Sequence, residues 1–368
     1  MKVAVIGASG FVGGHILRVL RAGGDDARAV VRNPQFSPRD PNRRIADARL
    51  VYELRDALAG CDYVVHSVLG GREVILGSLA PVYAAAEAVG VRRIVYMSTG
   101  SVHGQSPNPG TDETSPLSVC QAFAYNNAKV RAERKLRRLR TRGTVEVVML
   151  RPTIVFGPGS RWVRDFAAAL RNNTPYMVGG ARGICNSIYV DNLAHAVRLA
   201  LTVPGVDGEV FLVGDDETVT WRDLYRPIAA ALGYDFDAVP SVDFPEARPG
   251  FKQRYIQPIF TSEPGQMVLT RVPPGLKATL RRAVRLVRRP RAARGTAVSS
   301  TVPQTSPEMA ALHRCRWRLP HDKAIRLLGY APPVSFAEGC RRSVEWLQDL
   351  PVSKPSLDRR DSSHVVSA

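Results

Sequence analysis

Met1-Lys2-Val3-Ala4-Val5-Ile6-Gly7-Ala8-Ser9-Gly10-Phe11-Val12-Gly13 is a short apolar run that breaks into three glycines and is followed by an amphipathic stretch, Val12 to Ala22. The apolar run reads as a buried strand and the stretch after it as a helix. Glycines at such a joint permit a tight turn and let the backbone come close to a pyrophosphate. The helix N-terminus then offers free N–H groups and the positive end of its dipole. The turn at Gly7, Gly10, Phe11, Val12 and Gly13 is therefore a candidate dinucleotide cradle.

Outward from this joint, strand and helix patterns alternate. Strands are expected at 27–31, 49–51, 63–66, 93–98 and 145–150, and helices over 76–89 and 123–140. That order predicts an α/β fold, a doubly wound parallel sheet with helices on both faces. Further helices are expected at 163–171, 190–201, 221–232, 323–328 and 336–350, with a strand at 209–213 between the second and third. The reading is a dinucleotide-binding domain over 1–160, rejoined by about 184–215. A smaller C-terminal substrate-binding region takes most of 161–350.

The strand at 27–31 ends in Arg32-Asn33 and carries no acid there. An acid at that place binds the ribose 2′-hydroxyl, whereas an arginine suits a 2′-phosphate. The cofactor is thus NAD or NADP, with Arg32 leaning toward NADP.

Of 368 residues, 45 % are hydrophobic and 23 % charged, and the net charge is +18. Wholesale disorder is excluded by this balance. The five cysteines are widely spaced and include no Cys-x-x-Cys pair, which argues against a disulfide scaffold or a zinc ribbon. No histidine spacing suggests a metal site. No apolar run approaches the ~20 residues of a membrane-spanning helix, and the opening strand pattern is unlike a signal peptide. A soluble, cytoplasmic chain is the expectation.

Tyr125-Asn126-Asn127-Ala128-Lys129 places a phenol and an ammonium one helical turn apart on one face. A free tyrosine, with a pKa near ~10, is a poor acid or base at neutral pH. A nearby cation favours the phenolate, so the pair is a candidate acid/base unit. The hydroxyl of Thr99, at the end of the strand at 93–98, is placed to orient a substrate oxygen, with Ser98 as the alternative.

The glycine turn, Met97-Ser98-Thr99-Gly100-Ser101 and Tyr125-x-x-x-Lys129 together resemble the extended short-chain dehydrogenase/reductase superfamily, in its epimerase/dehydratase branch. Leu150-Arg151-Pro152-Thr153-Ile154-Val155-Phe156-Gly157 and Tyr189-Val190-Asp191-Asn192 extend the likeness, which covers about 1–235 and 318–348. The resemblance implies a Rossmann fold and an NAD(P)-dependent oxidoreductase, epimerase or dehydratase. It casts Tyr125 as acid/base, Lys129 as its partner and holder of the nicotinamide ribose, and Thr99 as the hydroxyl residue. Asp47 corresponds to the adenine-binding acid, Ser67 and Val68 to the cofactor pocket wall, and Pro152 to a neighbour of the nicotinamide. It also implies a nucleotide sugar or related sugar as substrate. Ile154, however, stands where nucleotide-sugar members often carry Asn. That leaves open a 3β-hydroxysteroid dehydrogenase-like or other reductase of a lipid-like alcohol, and beyond it a non-catalytic cofactor sensor. Relatives often dimerise through two helices, here 76–89 and 123–140. Seven basic residues between Arg131 and Arg142 oppose such a contact.

An insert over about 240–318 is rich in proline and arginine. Within it, residues 271–294 hold nine basic residues and no acid, with Leu and Val at helical spacing from 276. This basic amphipathic stretch is read either as a solvated helix packed on the domain or as a peripheral contact with an anionic membrane. It lacks the interleaved aromatics expected of a nucleic-acid binder. Residues 351–368 read as a disordered tail.

Overall fold

The computed structural model of the protein describes residues 1–36, 39–243 and 306–349. The basic stretch at 276–294 and the tail from 351 lie outside them. Strands β1 (Lys2–Ile6), β2 (Asp26–Val31), β3 (Arg43–Ile45), β4 (Tyr63–His66), β5 (Arg93–Met97), β6 (Glu146–Pro152) and β7 (Val210–Val213) form one sheet, in the order β7-β6-β5-β4-β1-β2-β3. Every pairing in it is parallel. The central strands are apolar almost without alternation because both faces are covered. In β1, Val3 to Ile6 are all buried.

One face packs on helices α1 (Phe11–Ala22) and α7 (Val190–Thr202), the other on α2 (Val51–Leu58), α4 (Leu79–Ala88) and α5 (Ala124–Arg140). Strand order reverses between β1 and β4. The crevice at the carboxyl ends of those two strands is where this topology places a ligand. A third apolar cluster builds a smaller lobe from α6 (Arg161–Arg171), α8 (Trp221–Ala231), α9 (Pro307–His313) and α11 (Phe336–Asp349), around the fully buried Trp221.

Two local expectations fail for identifiable reasons. The third strand is Arg43–Ile45, beside β2, and not 49–51. The Asp47 carboxylate accepts the Arg49 backbone N–H and Leu50 N bonds back to Asp47 O, so the chain turns there and enters α2. The helix expected over 76–89 is two helices, α3 (Arg72–Gly77) and α4, divided at Ser78. Pro81 lacks an N–H and its ring would clash with the carbonyl four residues back, so a continuous helix is blocked. Proline is tolerated in the first turn of the new one.

Candidate active site

The glycine turn closes β1 onto α1 by direct backbone contact. A Cβ on Gly7 would lie 2.6 Å from the Ser67 carbonyl oxygen, and one on Gly13 would lie 2.3 Å from the Gly7 carbonyl oxygen. Gly7 also sits at φ +88°, which side-chain-bearing residues rarely adopt. Helix α1 starts at Gly10 with no side-chain cap and no acid in its first turn. Its leading N–H groups therefore face the crevice between β1 and β4 without a side-chain acceptor, as an anionic pyrophosphate requires. Replacing Gly13 with Ala is expected to push α1 off β1. Cofactor affinity should fall at least about tenfold, with about 1–3 kcal/mol of lost stability, read by dinucleotide titration and urea unfolding.

Beyond this turn opens a cavity of about 710 Å³, lined by Gly10, Phe11, Val12, Gly13, Ser67, Val68, Thr99, Tyr125, Lys129 and Pro152 among others. The structure thus gathers onto one wall most of the residues singled out from the sequence. Gly7, Arg32 and Asp47 are not on it. Arg32 is exposed just past β2. Asp47 forms a two-pronged ion pair with Arg49 (3.0 and 2.6 Å). That hydrogen bond, helped by the charges of Arg49 and Arg32, holds its carboxyl at about 2.

Asn127 fixes the entry to α5: its Oδ1 accepts Gln121 N at 2.8 Å and its Nδ2 donates to Gln121 O at 2.9 Å. Tyr125 then projects into the cavity, 37 % exposed. Packing around it pushes its hydroxyl up to about 12. The charge of Arg161 and the nearby Thr99 hydroxyl act in the opposite direction, and Glu308 adds to the rise. Thr99 caps the following turn by accepting Ser101 N at 3.2 Å.

Lys129 is buried, and its Nζ donates to Met97 O at 2.6 Å, 5.9 Å from the centre of the Tyr125 ring. Burial pulls its ammonium down to about 8, with the Glu133 charge opposing. In this state the phenol is therefore harder, not easier, to ionise than free tyrosine, because burial outweighs the charge of Arg161.

Ser98 is separated from Thr99 by its bonding. Its Oγ donates to Glu133 Oε1 at 2.6 Å, inside a buried network completed by Arg151. Arg151 is thus an ion-pair residue at the end of its strand. Asn186, also on the cavity wall, accepts Leu319 N and donates to Trp317 O, which anchors the returning chain.

The opposite wall was not legible in advance. Arg161 and Arg164 from α6, Trp162, Trp221 and Glu308 line it. Arg161 Nη2 lies 3.4 Å from Glu308 Oε1, and its guanidinium sits 4.1 Å above the Trp162 ring. Gln105 Nε2 donates to the same Glu308 oxygen at 3.3 Å, and Asn126 Nδ2 donates to Gln105 Oε1 at 3.1 Å. Two buried acceptors of this cavity, Asn126 Oδ1 and Thr153 Oγ1, have no hydrogen-bond partner among the described residues. The Gly157-Pro158-Gly159-Ser160 turn ahead of Arg161 was a signal for a helix start. Nothing in the sequence tied Glu308 to it across nearly 150 positions.

Comparison with known proteins accords with this geometry. The sequence model of the NAD dependent epimerase/dehydratase family matches residues 3–214. A 3-beta-hydroxysteroid dehydrogenase of Mycolicibacterium neoaurum is 28 % identical over 259 residues, 63 % of this chain and 70 % of that protein. A 2-alkyl-3-oxoalkanoate reductase of Stenotrophomonas maltophilia is 28 % identical over 63 % of this chain and 76 % of its own length. A UDP-glucose 4-epimerase of Vibrio cholerae is 26 % identical over 63 % and 76 %. In fold, the chain is similar to a dTDP-glucose 4,6-dehydratase double mutant of Streptomyces venezuelae, solved with NAD bound (TM-score 0.67, 21 % identity, 95 % and 97 % of the two chains). Among the described residues no group of His, Cys, Asp or Glu side chains could hold a metal ion, and no helix is long and apolar enough to cross a membrane. The chain belongs to the NAD dependent epimerase/dehydratase family, within the extended short-chain dehydrogenase/reductases, and is an NAD(P)-dependent enzyme.

Proposed function

We propose that the protein is a dehydrogenase/reductase that interconverts a secondary alcohol and a ketone on a largely apolar substrate. The observation that carries this reading is the cavity wall beyond Tyr125. Phe123, Ile154, Trp162, Ile184, Trp221 and Leu312 make most of it apolar, a surface that favours hydrocarbon over a hydrated sugar. The resemblance to a steroid dehydrogenase and an oxoalkanoate reductase supports the same class.

When bound, the nicotinamide supplies hydride to the carbonyl carbon or accepts it from the alcohol carbon. In the reducing direction Tyr125 Oη gives its proton to the carbonyl oxygen as that oxygen takes up the electron pair of the C=O bond. Thr99 orients the same oxygen by hydrogen bonding, and the Lys129 ammonium opposes the negative charge left on the phenol. Solvent then reprotonates Tyr125.

A nucleotide sugar is the second reading, favoured by the epimerase relative and by two arginines on the wall. Incubation with cofactor and either class of substrate separates them. Alcohols and ketones should give a lasting change in nicotinamide absorbance. Turnover confined to nucleotide sugars would overturn the proposal.

Arg32, with no acid at the end of β2, supports binding of the phosphorylated dinucleotide. NADP is expected to bind more tightly than NAD, and Arg32→Glu to reverse the order, as read by direct titration. Equal affinities in both proteins would remove Arg32 from the site.

A further inference from the structure

The charged residues of the cavity are unequal in number. Among the described residues that line it, Lys129, Arg161 and Arg164 face a single carboxylate, Glu308. Lys129 is held by the Met97 carbonyl at 2.6 Å. Arg161 and Arg164 are three residues apart on the first turns of α6, hence on one face of the helix. Arg164 makes no ion pair among the described residues, and Arg161, besides stacking on Trp162, pairs there with Glu308 alone, at 3.4 Å between side chains that are 53 % and 42 % exposed. A long, half-exposed pair of this kind is weak and readily exchanged. Most of the remaining lining is apolar or uncharged, so an anionic group entering the cavity meets two guanidinium groups and one competing carboxylate.

Both members of the pair lie within electrostatic reach of Tyr125, Arg161 easing and Glu308 opposing ionisation of its hydroxyl. An anion on Arg161 therefore sits in the same cavity as the reacting oxygen and within reach of its charge. Glu308 has an alternative partner at hand, since Gln105 Nε2 already donates to it at 3.3 Å.

We propose that Arg161, backed by Arg164, is the anion subsite of this active site. The substrate would be an apolar molecule carrying a carboxylate or phosphate group, and Glu308 would occupy the subsite until that group displaces it. The proposal rests on the dehydrogenase/reductase reading for its apolar part and on the cavity's charge for its anionic part.

Binding tests it without turnover. Trp162 and Trp221 line the cavity, so their fluorescence reports entry of decanoate, decyl phosphate or decanol into the full chain saturated with dinucleotide. At least one of the two anions is expected to bind about tenfold or more tightly than decanol, and the better of them identifies the headgroup. Arg161→Met should abolish that preference and Arg161→Lys restore part of it. Glu308→Gln should tighten anion binding, since it removes the competitor. A merely structural Glu308 would instead weaken binding of all three probes.

Equal affinity for decanol and both anions, or a preference that survives Arg161→Met, would overturn the subsite. Turnover confined to nucleotide sugars would defeat the substrate class proposed above, yet the Arg161 dependence of anion binding would still judge the subsite.

Discussion

Tyr125→Phe is expected to lower kcat by about 10²–10⁴-fold, the usual worth of a positioned general acid, and to leave dinucleotide affinity close to that of the parent protein. The substitution removes one oxygen and keeps the ring, so the cavity keeps its shape while the proton donor is lost. Steady-state kinetics and a separate cofactor titration check the two halves. A kcat within a factor of three of the parent would remove Tyr125 from the chemistry. The pH profile adds a second sign. With its hydroxyl held up at about 12 by burial, Tyr125 carries its proton throughout the neutral range and is fit to donate it. Lys129, pulled down to about 8, is charged below that pH and neutral above it. Reduction leaves negative charge on Tyr125, which the ammonium stabilises only while it is protonated. The rate of reduction should therefore fall as pH rises through about 8, and Lys129→Met should flatten that limb along with lowering the plateau.

What could be read in advance follows from how local the determining contacts are. The β1 turn and the start of α1 lie within thirteen consecutive residues, and there the apolar run and the glycines suffice, although Ser67 also presses on Gly7 from β4's end. Tyr125 and Lys129 share one helix face, so their spacing is local too. The third strand was misplaced because 43–45 is short, polar and at the sheet edge, where burial imposes no pattern. Its exposed arginines hid it, while Leu50 and Val51 drew attention to the segment that is in fact the entry to α2. The break at Ser78 was signalled by Pro81, but the alanine-rich run around it outweighed that signal. The far wall of the cavity was beyond reach for another reason. Arg161 meets Glu308 only when α6 and α9 come together within the second lobe, and Gln105 meets Glu308 only through packing of that lobe on the first. Spacing carries no information about such contacts. The same holds for electrostatics: the spacing of Tyr125 and Lys129 suggested a lowered phenol, whereas the Met97 carbonyl claims the ammonium and burial raises the phenol.

Glu133→Ala is expected to cost about 3–5 kcal/mol of folding stability, because it strands a buried guanidinium. Glu133 and Arg151 are each 1 % exposed and meet at 2.7 and 3.0 Å. Among the described residues Arg151 is otherwise bonded only to His103 Nε2 and the Glu113 carbonyl, neither of which can neutralise it. Urea unfolding at unchanged slope reads the loss; a shift below about 1 kcal/mol would mean that water reaches the pair. Replacing both partners, as Glu133→Leu with Arg151→Met, should recover most of the stability, since it removes the charge along with its counter-charge. Activity is not expected to return with it. Glu133 Oε1 also accepts the Ser98 hydroxyl at 2.6 Å, and Ser98 is the residue next to Thr99, so the ion pair holds in place the strand end that brings Thr99 into the cavity with Tyr125. A double variant that is stable yet slow would assign the pair a positioning role in the site. One that is both stable and fully active would confine it to the core.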